Sequence, residues 1–82
     1  MSASYLQRKR LRELHSELSA VQNRIRQIDT PGRREVKRLE RAGYYRDASL
    51  EYEEMVNKLQ PLWKEQTRLE QQIDEAERRL DR

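Results

Sequence analysis

From residue 45 onward the apolar side chains recur at alternating steps of three and four: Tyr45, Ala48, Tyr52, Met55, Leu59, Leu62, Leu69, Ile73, Ala76 and Leu80, with Gln66 as the polar member of the series. That spacing is the heptad seam of a helix built to lie along another helix. The first half of the chain repeats it at Leu11, Leu14, Leu18, Val21, Ile25 and Ile28. No period-two alternation competes with it, so the expected fold class is all-α.

Stop signals divide the pattern into three predicted helices. Ser4 caps a first helix over 4–28, which Asp29, Thr30, Pro31 and Gly32 interrupt. Thr30 then reads as an N-cap and Pro31 as the first residue of a short helix over 31–42, with Val36 and Leu39 as its apolar contacts. Ala42 and Gly43 close that helix, and a long one covers 44–80. At 1.5 Å per residue the long helix spans roughly 54 Å, and the first two together span about the same. The expected architecture is an antiparallel coiled-coil hairpin with its tip at Gly43 and a break at 29–32. A three-helix, up-down-up fold stays open at this stage, because a four-residue connection suits either geometry. Pro61 falls on the outer face of the long helix, where a kink is expected that leaves the seam intact.

Composition narrows the class. A chain of 82 residues makes one small domain that buries little surface by itself. Its charged fraction, 40% against 34% hydrophobic, would suit disorder if residue order were ignored, but the two stripes and only two glycines argue for ordered helix. The lack of cysteine removes disulfides and thiolate metal sites. No run approaches the roughly 20 apolar residues of a membrane span, and residues 1–30 hold no signal-peptide stretch. A cytoplasmic protein without a membrane partner is expected. Charge is unevenly divided: residues 1–46 carry twelve Lys and Arg against five Asp and Glu, and residues 47–82 carry six against ten. Antiparallel pairing is expected to bring Arg8, Lys9, Arg10 and Arg12 near Glu75, Glu77 and Asp81. The same pairing would set Arg33, Arg34, Lys37 and Arg38 near Glu51, Glu53 and Glu54. Such pairs select orientation more than they add stability.

Val56 and Trp63 follow the seam residues Met55 and Leu62 and lie seven apart, widening the apolar stripe of the long helix. A two-helix contact does not need that width, so a homodimer of hairpins forming a four-helix bundle is expected. Gln66 within the seam is a candidate for fixing register or oligomer state. At the tip, Arg41, Tyr44, Tyr45 and Arg46 surround the turn with few acids nearby, and with Val56 and Trp63 they form the expected partner-binding set. The basic cluster Arg33, Arg34, Lys37, Arg38 and Arg41 supports an alternative, a nucleic-acid-binding helical dimer. Catalytic chemistry has no constellation to rest on. His15 is the sole histidine, the acidic pairs Glu53-Glu54 and Asp74-Glu75 sit on exposed faces, and neither a phosphate loop nor metal-ligand spacing occurs. No enzyme, cofactor or metal is expected.

Around the tip, Gly43-x-Tyr45-x-x-Ala48-x-x-x-Tyr52-x-x-Met55 is similar to the second half of a tetratricopeptide repeat. Gly43 closes a turn, Ala48 lets helices approach and the tyrosines pack across it. The motif has no second copy in the chain, so a repeat array is not expected. The run from Tyr45 to Tyr52, with Trp63-Lys64-Glu65, resembles the middle coiled coil of Clp-type unfoldase ATPases. That resemblance implies a regulatory arm of a larger machine, touching an adaptor or chaperone. The residues themselves point to a protein–protein interaction module, a small self-associating adaptor, inhibitor or assembly factor. Its core seam is Leu11, Leu14, Leu18, Val21, Ile25, Ile28, Tyr52, Met55, Leu59, Leu62, Leu69, Ile73 and Leu80.

Overall fold

A computed structural model describes residues 3–80 as two α-helices, α1 (Ala3–Arg41) and α2 (Tyr45–Leu80), folded back on each other as an antiparallel hairpin. The rod measures 62 × 15 × 14 Å. The seams predicted from spacing meet along it. Leu14 and Val21 of α1 pack with Leu62, Leu69 and Ile73 of α2, and half-buried Leu11, Leu18, Ile25, Ile28 and Ala76 close over them. Toward the tip, Val36 and Leu39 pack with Ala48. Leu59 and Leu69 are wholly enclosed, each contributing on the order of 1.5–3 kcal/mol by leaving water.

The turn follows from Gly43, whose φ of +84° lies in the left-handed region. Its N–H donates to the Glu40 carbonyl at 3.0 Å, and the Tyr44 N–H donates to the Leu39 carbonyl at 2.9 Å. These two bonds are a Schellman closure, which satisfies carbonyls that the end of α1 would otherwise strand. The Tyr44 carbonyl then accepts from the Ala48 N–H at 2.9 Å and opens α2. Arg38 and Arg41 in the last turn of α1 and Asp47 in the first turn of α2 complement the helix dipoles.

The expected break at 29–32 is corrected. α1 runs through Asp29, Thr30, Pro31 and Gly32 as one helix of 39 residues, which removes both the separate 31–42 helix and the up-down-up alternative. Thr30 is therefore no N-cap, and Ser4 lies inside α1 rather than ahead of it. The physical reason is that the apolar phase survives the supposed stop. Ile28, Gly32, Val36 and Leu39 follow one another at four, four and three, so one continuous helix keeps them all turned toward α2. Pro31 is exposed at the edge of a groove between the helices, and the helix forgoes a backbone donor there.

Gly32 has a packing role rather than a turn role. A Cβ placed on it would lie 2.6 Å from Met55 Sδ and 2.9 Å from Met55 Cγ. The glycine is a notch in α1 that receives the buried Met55 side chain of α2. α2 likewise continues through Pro61, which is exposed on the outer face as expected.

Two aromatic seam positions are also corrected. Tyr52 is 49% exposed and Tyr45 is 68% exposed. Val36 packs against Ala48, and the two exposed tyrosines line the side of the hairpin beside them. Leu80 is half-buried at the open end.

Two stability outcomes are expected. Pro31→Ala restores a backbone donor at an exposed helical site, and should raise unfolding free energy by about 1–3 kcal/mol in urea melts followed by circular dichroism. Gly32→Ala gains about 1 kcal/mol of helix propensity but displaces Met55. It should be neutral or destabilising alone and stabilising beside Met55→Ala; equal effects in both backgrounds would show that the notch has no packing role.

Candidate functional site

The hairpin has two long sides, and they differ in chemistry. On one side α2 presents Tyr45, Tyr52, Val56 and Trp63. From 45 to 63 is eighteen residues, five turns at 3.6 per turn, so the first and last rings lie on one line and the other two fall close to it. Val56 is half-buried and Trp63 is 40% exposed. The α1 residues Val36 and Glu40 complete an open groove of about 330 Å³ with Tyr45, Ala48, Ser49 and Tyr52. Further along, Trp63 borders a shallow surface with Lys64, Thr67, Arg68 and Gln71, and the Thr67 hydroxyl donates to the Trp63 carbonyl at 3.0 Å.

The opposite side is acidic. Gln27, Pro31 and Glu35 of α1 face Glu51, Glu54 and Lys58 of α2 across a second groove of about 330 Å³, floored by Ile28, Gly32 and Met55. A single cation among three carboxylates leaves a negative strip there.

Of the residues expected at the partner-binding surface, Arg41, Tyr44, Tyr45 and Arg46 are all exposed around the turn. Tyr45 joins this tip to the aromatic side that holds Val56 and Trp63. Tyr52, assigned from spacing to the core, belongs to the same side. Its signal in the sequence was ring size: a tyrosine opposite the region of Gly32 and Val36 carries a hydroxyl that favours the surface.

Opposite charges of the two arms do approach, with Arg10 and Glu75 lining one groove, but the expected proximity does not become direct pairing. Among the described residues, ion pairs within 4 Å are nearly all internal to one helix, at spacings of three or four: Arg10–Glu13 (3.7 Å), Arg33–Asp29 (2.9 Å), Arg38–Glu35 (2.6 Å), Arg68–Glu65 and Arg78–Asp74 (2.9 Å). His15 Nε2 and Glu77 Oε1, 3.8 Å apart, join the two helices, as an ion pair only when the imidazole is protonated. Side chains three and four apart on a helix are already neighbours and need no rearrangement to meet, so local partners win. Asp81 lies outside the described residues. The basic cluster is partly neutralised by the same rule. Arg33 and Arg38 have carboxylate partners, while Arg34, Lys37 and Arg41 are exposed.

Gln66 is half-buried in the seam. A second glutamine, which spacing did not single out, holds the more constrained position: Gln72 Oε1 is shielded from solvent with no protein donor. It precedes the seam residue Ile73, at the groove edge near Arg10, Glu75 and Arg79. Among the described residues, no group of three His, Cys, Asp or Glu side chains is arranged to hold a metal ion. No helix among them is long and apolar enough to cross a membrane.

Hydrogen bonds from Arg38 hold the Glu35 carboxyl below the ordinary glutamate range, and Glu35 in turn raises Arg38. Arg68 does the same to Glu65. Depressed carboxyl values mean that both pairs support their helices above the unfolded glutamate range and lose that support as acid protonates them. In a carbon-detected NMR titration, Glu35 and Glu65 should protonate below the ordinary glutamate range as pH falls, and about 1 M salt should move them back toward it.

No family model, curated protein or solved structure matches the chain.

Proposed function

We propose that this chain is a protein–protein interaction module, a non-catalytic helical hairpin that acts as an adaptor, inhibitor or assembly factor through one side of its rod. The observation that carries the reading is the exposed line of Tyr45, Tyr52 and Trp63 with half-buried Val56 between them. Aromatic rings held on a rigid helix offer large contact area at little entropic cost, and tryptophan and tyrosine supply most strong anchors of protein interfaces. The two helices bury their own seam, so these rings are left over after the hairpin has folded.

A second reading has its own observation: Arg34, Lys37 and Arg41 recur along the exposed face of α1 and lead to Arg46, Tyr44 and Tyr45 at the tip. That surface suits the phosphates and bases of a nucleic acid.

The readings separate by salt and by position. A photoreactive benzoylphenylalanine in place of Trp63, activated in cells that express the protein, should give covalent protein adducts that persist at about 0.5 M salt. Absence of any protein adduct, together with binding to labelled DNA or RNA that weakens steeply with salt and is abolished by charge reversal of Arg34, Lys37 and Arg41, would sink the first reading and favour the second.

A further inference from the structure

Resting on the interaction-module reading, we infer that the partner of the aromatic side is a second copy of this chain, bound antiparallel about a two-fold axis that crosses the rod at the level of the Gly32–Met55 contact. Two independent patterns place the axis there.

The first is apolar. Along α2 the residues Tyr45, Tyr52, Val56 and Trp63 are separated by seven, four and seven. This spacing is the same in both directions, with its centre at the level of residue 54. When two such helices lie antiparallel across a two-fold axis at that level, Tyr45 of each copy meets Trp63 of the other, and Tyr52 meets Val56. A self-complementary patch of this kind is what an isologous interface requires.

The second pattern is charge, on the other helix. Val36 and Glu40 share a groove with Tyr45 and Tyr52, so they face the same side as the aromatic line. Asp29 and Arg33, seven residues before them, lie on that side too. Counted outward from Arg33, Asp29 and Lys37 stand four away in opposite directions, and Arg26 and Glu40 stand seven away. A two-fold axis at Arg33 therefore sets Asp29 against Lys37 of the second copy and Arg26 against Glu40, each twice. Every like-charge coincidence is avoided except Arg33 with itself, and each Arg33 is already held by its own Asp29 at 2.9 Å.

The two centres coincide. Met55 of α2 seats in the notch of Gly32, so residues 54 and 33, their immediate neighbours, lie at one height along the rod. A single axis thus serves the apolar pattern of α2 and the charge pattern of α1. The product is an antiparallel four-helix bundle in which each α2 packs on the other α2. The opposite side, with Glu35, Glu51 and Glu54, carries an acidic groove that would repel a second copy and so leaves one side for pairing.

The chain has no cysteine, which makes single substitutions informative. Arg33→Cys and Glu54→Cys lie at one height on opposite sides. Under mild oxidation or with a short bis-maleimide, Arg33→Cys should form a covalent dimer and Glu54→Cys should not. Native protein should sediment at about twice its 10.0 kDa mass. Trp63→Ala should raise the dissociation constant at least about tenfold, and so should Tyr45→Glu, at a site too exposed to disturb the hairpin's own core. The photo-adduct from position 63 should have twice the chain mass and map to the peptide holding Tyr45. A protein that stays monomeric at about 200 µM, or a dimer cross-linked through Glu54→Cys and not Arg33→Cys, overturns the inference. If the position-63 adduct then carries a different protein, the interaction-module reading survives the loss; if it carries none, both fall.

Discussion

Burial of one apolar line of α1 against one of α2 is the constraint on which the molecule depends. Neither helix is apolar enough to persist alone in water, and the two together make a rod only about two side chains deep. With so thin a core, each position along it must be filled, and the enclosed Leu59 and Leu69 mark places where the filling is complete. Near the middle the fit is achieved by removing a side chain instead of adding one. Gly32 gives up helix propensity so that Met55 can enter, and this keeps the helices close between the two apolar clusters.

The same contact fixes the height of one helix against the other. Once Met55 is seated, and once the Gly43 closure has set the length of the turn, the α1 and α2 side chains on each side of the rod are in register. The aromatic line of α2 then shares one surface with Val36 and Glu40 of α1, while three carboxylates collect on the other. Proposed self-association is a consequence of that register. A shift of one helical turn would separate the centre of the apolar pattern from the centre of the charge pattern.

Electrostatics within the hairpin is mostly local. The division of charge between the two halves suggests arms drawn together by opposite sign, yet guanidinium groups reach carboxylates three or four residues away on their own helix. Those pairs cost no tertiary organisation, and exposed as they are they add little to stability. Choice of orientation therefore falls to the short turn and the seam. The charges on the outer surfaces are left to discriminate between partners.

Heptad spacing determined that this chain is helical and carries two seams to be paired, and the backbone freedom of one residue marked Gly43 as the closing turn; that the seams run antiparallel was decided only when α1 proved continuous. Spacing also marked Val56 and Trp63 as surplus to a two-helix contact. What only the tertiary structure decided is the fate of 29–32 and of the tyrosines. Pro31 and Gly32 are stop signals by their local preferences, but packing of Ile28, Val36 and Leu39 on one face holds the helix through them, and Met55 supplies the reason for the glycine. Tyr52 fits the seam by number, and Val36 displaces it to the side. Local preference is worth about 1 kcal/mol for a glycine and about 3 kcal/mol for a proline, and a continuous buried seam outweighs both.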